Sequence, residues 1–246
     1  MTEQRVLVTG GSKGIGRAIA MALSAQGHDV TILSRSEASL VQAVKDGAAK
    51  RWLAADVTDE QALNQAVAES GPYHILINNA GAAESAPFQT ASLDHMRRMM
   101  AVNVESVFIA TRAALPGMMK LGWGRIVNVA SIAGLKGYPY VSAYCAAKHA
   151  IIGLTRSLAV ELVKTRITVN ALCPGYTDTD LIAEAANAIA RKTGMPAAKA
   201  IEHFAKTNPS GRLITPAEVT NAALWLCSEG ASAITGQAIT VAGGDP

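Results

Sequence analysis

The sequence is short of several features, and each shortage narrows what the chain does. It has three cysteines, Cys145, Cys173 and Cys227. They are odd in number, widely spaced and without metal-ligand spacing, which argues against a disulfide-stapled scaffold or a zinc module. Free thiols in a reducing, cytoplasmic setting are expected, with no metal. No run of like charge exceeds Arg97-Arg98 and the formal net charge is only +3, so the basic footprint of a nucleic-acid partner is missing. No apolar run reaches the roughly 18 residues of a bilayer-spanning helix, so no membrane partner is expected. "MTEQRVLVTGG" enters a strand almost at once, without the charged and apolar regions of a secretory leader, and none is expected. Aromatic residues make up 4%. No Pro/Ser/Gly-rich linker divides the chain and no internal repeat occurs.

What is present reads as one α/β domain over residues 1–246. Half of the residues are hydrophobic and 17% are charged, enough apolar material for a substantial core. Seven short apolar runs, "RVLVTG", "DVTILS", "RWLAAD", "HILINNAG", "GRIVNVAS", "RITVNALCPG" and "QAITVAGG", are bounded by Gly, Asn, Ser or Pro. Stretches of helical period such as "GIGRAIAMALSAQG" separate them. Nearly continuous hydrophobic strands are those buried on both faces, so the expected fold is a single doubly wound, seven-stranded parallel sheet of Rossmann type with helices on both sides. Between Asp178 and Pro209 two Ala-rich helical stretches replace a simple crossover. Their place after a strand's carboxyl end suits a substrate-covering lid, the alternative being a plain surface hairpin.

The first strand leads into "TGGSKGIG", Thr9 to Gly16. Gly10 permits a tight turn, Gly14 lets backbone N–H groups approach a pyrophosphate, and Gly16 allows close helix–strand packing, with Ser12, Lys13 and Ile15 between them. The second strand ends on Ser34 and Arg35 where an acidic residue would select a free ribose 2′-hydroxyl. Arg35 and Lys13 suit a 2′-phosphate instead, so NADP(H) is favoured over NAD(H), with Glu37 a decoy in the following helix. Asp56, beside Val57, closes the third strand and is placed either to accept from an adenine amino group or to cap the next helix. In "NNAG" the amide of Asn78 can tie strands together, while Ala80 and Gly81 lie where the cofactor ribose would pass.

In "SAYCAAKHA" Tyr144 and Lys148 stand at i and i+4 on one helix face. That spacing is usually a packing accident. Here, however, the helix follows the strand closed by Ser131, at the ligand-binding edge of such a sheet.

Taken in order, these motifs resemble the short-chain dehydrogenase/reductase family, from Arg5 to about Gly244. The resemblance implies a catalytic set of Asn103, Ser131, Tyr144 and Lys148. It also places the cofactor's nicotinamide carboxamide beside Pro174, Gly175, Thr177 and Thr179 of "PGYTDTD". Tyr144 would donate a proton to a carbonyl oxygen held by Ser131, and Lys148, also bonded to the nicotinamide ribose, would lower the phenol pKa together with the oxidised nicotinamide's charge. Asn103, in the apolar helical stretch "MMAVNVESVFIATRAAL", would position a water beside Lys148; a helix-distorting amide satisfied by backbone is compatible with that role.

Within the family the chain most resembles 3-oxoacyl-thioester reductases and 3-hydroxyacyl-CoA dehydrogenases, which implies a carbonyl or acyl-thioester substrate. Carrier-protein reductases bear arginines at positions that align here with Gly122 and Thr165, although Lys120, Arg125, Lys164 and Arg166 lie close by. That departure leaves a CoA thioester or a free ketone open, and cyclic alcohols, steroids or polyketide ketones form the alternative. A silent NADP(H)-sensing regulator is the reading outside enzymology, and the intact Asn-Ser-Tyr-Lys set argues against it. The family's pairing of the corresponding helices implies a homotetramer.

Overall fold

In the computed structural model, which describes residues 3–245 apart from the Lys192 side chain, the seven apolar runs become seven strands. They are β1 (Arg5–Thr9), β2 (Asp29–Ser34), β3 (Arg51–Ala54), β4 (Ile75–Asn78), β5 (Gly124–Val129), β6 (Ile167–Pro174) and β7 (Ala238–Val241). One sheet holds them in the order β3-β2-β1-β4-β5-β6-β7, and every neighbouring pair is parallel. The chain builds outward from β1 to β3, then returns to β1's other side with β4. That reversal opens a crevice at the carboxyl ends of β1 and β4, where doubly wound sheets take their ligands.

The helices are α1 (Gly14–Ala25), α2 (Glu37–Lys45), α3 (Glu60–Ser70), α4 (Leu93–Met100), α5 (Ser106–Leu121), α6 (Ser142–Glu161), α7 (Asp180–Thr193), α8 (Ala197–Thr207) and α9 (Pro216–Cys227). Local chemistry sets several of their ends. Ser36, Asp59 and Ser92 each accept a first-turn N–H at the starts of α2, α3 and α4. Thr215 and Glu218 form a reciprocal capping box on α9, with Pro216 in the first turn.

Alternation along the strands divides the core in two. Val6, Val8, Val30 and Ile32 face Ile19 and Leu23 of α1, Leu40 of α2, and Val219, Ala223 and Leu226 of α9. Leu7, Leu33 and Leu76 face Leu63 and Val67 of α3 and Ile109, Ala110 and Met118 of α5 on the opposite side. α1 and α9, far apart in sequence, pack directly on one another.

The stretch around Asn103 departs from a regular helix. Between α4 and α5 the backbone makes a π-helical turn, Ala101–Glu105. Asn103 Nδ2 donates to the Met99 carbonyl, four residues back, at 3.0 Å, competing for the acceptor that a regular α-helix gives to a backbone N–H. That competition accommodates the wider turn.

Candidate active site

The glycine turn is built by close approach. Gly10 has φ +65, and a Cβ there would lie 2.9 Å from the Ala80 Cα. At Gly16 a Cβ would lie 2.3 Å from Asn79 Nδ2 and 2.5 Å from the Gly10 carbonyl oxygen, so α1 seats on the β1 turn only without a side chain. Lys13 is the N-cap of α1 and makes no side-chain cap bond. The first-turn N–H groups therefore have no side-chain partner, which fits a pyrophosphate at this helix start. Ser12 is buried, and Ile15 packs on the core below.

The two cations expected at a 2′-phosphate already have carboxylate neighbours. Arg35, exposed at the end of β2, lies 4.0 Å from Asp56 Oδ2. Lys13 lies 3.4 Å from Glu184 of α7. Asp56 itself caps a turn: its Oδ1 accepts from the Thr58 N–H at 2.9 Å and the Thr58 hydroxyl at 2.7 Å, holding its carboxyl below the usual range. The cap of α3 is Asp59, so Asp56 holds the turn before that helix rather than capping it, and its other oxygen faces Arg35. Val57 is buried in the core, and Glu37 sits in the first turn of α2.

Asn78 ties strands together, as its place in "NNAG" indicated. Its side chain is buried, and Nδ2 donates to Thr111 Oγ1 at 3.0 Å and Asn128 Oδ1 at 2.8 Å. Asn128 in turn donates to Thr155 Oγ1 at 2.9 Å. The amide therefore braces β4, β5, α5 and α6 and has no free donor for a ligand. Ala80 similarly spends its N–H on Thr9 Oγ1 at 3.1 Å.

Ser131, Tyr144, Lys148 and Asn103 converge at the carboxyl end of β5. Ser131 Oγ accepts from the Ala133 N–H at 3.1 Å, which fixes the 3₁₀ turn Ile132–Gly134. That turn packs so tightly on α6 that a Cβ at Gly134 would lie 2.6 Å from the Lys148 carbonyl oxygen. Lys148 Nζ donates to the Val129 carbonyl at 3.0 Å and lies 5.6 Å from the Tyr144 ring centroid. Asn103 Nδ2 also donates to the Ala82 carbonyl at 2.9 Å. Exposed Gly81 joins the two: a Cβ there would lie 2.7 Å from Asn103 Oδ1 and 3.6 Å from Lys148 Nζ. Burial raises the Tyr144 phenol to about 12, opposed by a hydrogen bond with Ser131, and lowers Lys148 to about 8. Without the cofactor's charge, desolvation thus keeps the phenol proton firmly in place.

A family model described as enoyl-(acyl carrier protein) reductase matches residues 10–245. The chain belongs to the short-chain dehydrogenase/reductase family. It is an oxidoreductase of that family, which works with a nicotinamide cofactor. It is 37% identical over 253 residues to D-beta-hydroxybutyrate dehydrogenase of Cupriavidus necator, covering 99% of this chain and 98% of that one. It is 36% identical over 248 residues to 3-oxoacyl-[acyl-carrier-protein] reductase FabG of Aquifex aeolicus, covering 97% and 95%. A single-substitution variant of actinorhodin polyketide ketoreductase with NADPH superposes with a TM-score of 0.93 at 32% identity, over 98% of this chain and 97% of that one.

In this short-chain dehydrogenase/reductase the segment after β6 completes the rim. Pro174 ends β6 and Gly175 follows it, where a Cβ would lie 2.7 Å from Asn208 Oδ1. Thr177 donates to the Gly175 carbonyl at 2.9 Å and Thr179 to the Thr177 carbonyl at 3.2 Å. Thr179 Cγ2 comes within 3.6 Å of a Cβ built on Gly14, so this segment and the glycine loop face each other. α7 and α8 form the helical hairpin that the Asp178–Pro209 pattern indicated. Buried Asn208 ties its base down, donating to the Tyr176 and Arg212 carbonyls at 2.9 and 2.7 Å. No sequence pattern singled out Asn208, since its partners lie within an irregular loop.

The basic residues weighed for carrier-protein recognition stand at the amino edge of the sheet, away from this rim. Gly122 is the left-handed C-cap of α5, with φ +68. Thr165 closes a turn, donating to the Leu162 carbonyl at 2.7 Å and accepting from the Ile167 N–H at 3.1 Å. Arg125 is buried, lies 4.2 Å over the Trp123 ring and donates to the Gly124 and Arg166 carbonyls; it is spent on structure. Asn170, likewise, bridges Ile234 and Gln237. Among the described residues no His/Cys/Asp/Glu group has metal-holding geometry, and no helix is long and apolar enough to cross a membrane.

Proposed function

We propose that this enzyme is an NADP(H)-dependent reductase that interconverts 3-oxoacyl and 3-hydroxyacyl thioesters, with Asn103, Ser131, Tyr144 and Lys148 as its catalytic set. What supports the reading is how those side chains link up: Ser131 bonds Tyr144, Lys148 Nζ lies 5.6 Å from the Tyr144 ring centroid, and Asn103 and Lys148 both border Gly81. The activities named for the hydroxybutyrate dehydrogenase and FabG relatives support the substrate class. Arg35 and Lys13 support the phosphorylated cofactor, whose nicotinamide supplies a hydride when bound.

Tyr144 delivers the proton. A phenol near pKa 12 is fully protonated at neutral pH, the form a ketone's oxygen requires, and Ser131 holds that oxygen as charge develops on it. Lys148, near pKa 8, is mostly cationic at neutral pH and favours the phenolate left behind. One of its protons is held by Val129, and Asn103 Oδ1 borders the same exposed backbone, where a water can refill the relay. Tyr144→Phe is expected to abolish NADPH oxidation with acetoacetyl-CoA while NADPH affinity stays within about twofold; retained turnover would sink the assignment.

A second reading, reduction of cyclic or polyketide ketones, is favoured by an aromatic row beside the site, in which Tyr176 stacks on Phe204 at 5.0 Å. An NADPH-oxidation screen with acetoacetyl-CoA, a carrier-linked analogue and cyclic ketones separates the two. The α7–α8 hairpin acts as a lid over either substrate. The enzyme assembles as a homotetramer through α5 and α6, whose outer faces expose Phe108, Met119 and Val160. Light scattering is expected to give four copies, and a stable monomer at micromolar concentration would refute it.

A further inference from the structure

The loop between Ser131 and Tyr144 carries the two proposed catalytic hydroxyls at its ends, and each end has its own anchor. Ser131 is fixed by β5 and the 3₁₀ turn, and Tyr144 by α6. The middle is different. From Gly137 to Pro139 no backbone hydrogen bond outside regular elements holds the chain. Besides the Ala86 N–H donated to the Tyr140 carbonyl at 2.8 Å just beyond it, what holds it is a carboxylate from beyond β7.

Asp245 is buried, with 3% of its side chain exposed. Its carboxylate accepts from Lys136 Nζ and, through Oδ2, from the Tyr138 hydroxyl at 3.0 Å. A turn through Gly243 and Gly244, both with positive φ, brings it there. Tyr138 then meets Tyr176 edge to face, with centroids 6.3 Å apart at 87°. Tyr176 stacks on Phe204 of α8 at 5.0 Å. Tyr176 follows β6 as Ser131 follows β5, its parallel neighbour, so the row stands at the same carboxyl edge of the sheet as the reacting hydroxyls. A buried carboxylate is retained only where its partners are in place, which makes Asp245 the fixed point of the row.

We propose that Asp245 is a positioning residue for the substrate wall. Through Lys136 and Tyr138 it sets the mid-loop and the aromatic row Tyr138–Tyr176–Phe204, and so governs ketone binding while leaving the catalytic hydroxyls in place. The proposal rests on the reductase reading above, but its first readout does not. Hydrogen exchange on the intact chain is expected to show Asp245→Ala deprotecting about tenfold or more the amides of Leu135 and Lys136, bonded to the Ile132 carbonyl, and of Ala86, bonded to the Tyr140 carbonyl, with β4 and β5 unchanged. Unchanged exchange at those three amides, or loosening spread evenly over the chain, overturns it.

In NADPH oxidation with acetoacetyl-CoA, Asp245→Ala is expected to raise KM about tenfold, with kcat and NADPH affinity within about twofold, since a wall contributes uniform binding. Loss of kcat at unchanged KM overturns the assignment. Tyr138→Phe, which deletes one hydroxyl only, is expected to give a smaller KM rise and to add nothing in the Asp245→Ala background; full additivity refutes a shared role. Should acetoacetyl-CoA not turn over in the wild type, the reductase-substrate reading fails alone and the exchange experiment still decides the role of Asp245.

Discussion

Removing the Asn78 amide tests how much of the site's rigidity comes from inside the sheet. In Asn78→Ala two buried acceptors lose their donor: Asn128 Oδ1, at 2.8 Å, and Thr111 Oγ1, at 3.0 Å. Leaving a buried polar atom unpaired costs about 1–3 kcal/mol. The threonine hydroxyl can rotate toward its own helix carbonyls, so the larger part falls on Asn128. Asn78 Oδ1, buried without a partner, leaves with the side chain and offsets a little of the loss. The net expectation is about 2–4 kcal/mol, a fall in Tm of roughly 5–15 °C for a domain of this length. Asn78→Asp should fare worse, because a carboxylate would point acceptors at acceptors in a water-free space. Thermal unfolding followed by circular dichroism measures both, and the double variant with Asn128→Ala should fall short of additivity. If Asn78→Ala melts within about 1 °C of the parent, the bracing role is wrong.

Two further outcomes are expected. Arg35→Asp should weaken NADPH roughly tenfold or more while sparing NADH, since Arg35 is exposed and pairs with Asp56 only at 4.0 Å; an unaltered NADPH/NADH ratio by titration refutes the 2′-phosphate role. Lys148 has a folded pKa of about 8 against an ordinary 10.5, so between those values the unfolded chain binds more protons and stability rises with pH. Measured against Lys148→Met by urea unfolding, the parent should gain about 3 kcal/mol across that window and nothing below it; a flat difference refutes the burial effect.

The sheet was legible because each strand is a short apolar run closed by Gly, Asn, Ser or Pro, and pairing in a doubly wound sheet follows from that rhythm. Gly10 and Gly16 were legible from local spacing, whereas Tyr144 and Lys148 drew their meaning from the strand closed by Ser131, since their i, i+4 spacing alone is usually a packing accident. The sequence was silent wherever a side chain's partner lies far along the chain. Asp245 reaches Tyr138 across 107 residues, and Asn78, legible as a strand tie, finds its partner Asn128 across 50; neither separation has a period that names the partner. The distortion at Asn103 was legible as a helix-distorting amide satisfied by backbone, and its bonds to the Met99 and Ala82 carbonyls are that; its π-helical form was not, because the apolar pattern around it remains helical.

The packing of α1 on α9 has a consequence for how the molecule comes into being. Ile19 and Leu23 are made just after β1, yet Val219, Ala223 and Leu226, which cover them, follow β6 and both lid helices. Until they leave the ribosome that face of the central strands meets water, and the cofactor crevice at β1 lacks its backing. A nascent chain ending before Pro216 would therefore carry an open apolar layer that invites chaperones or a neighbouring chain. Arrival of α9, rather than emergence of the glycine turn, is the event that closes this enzyme.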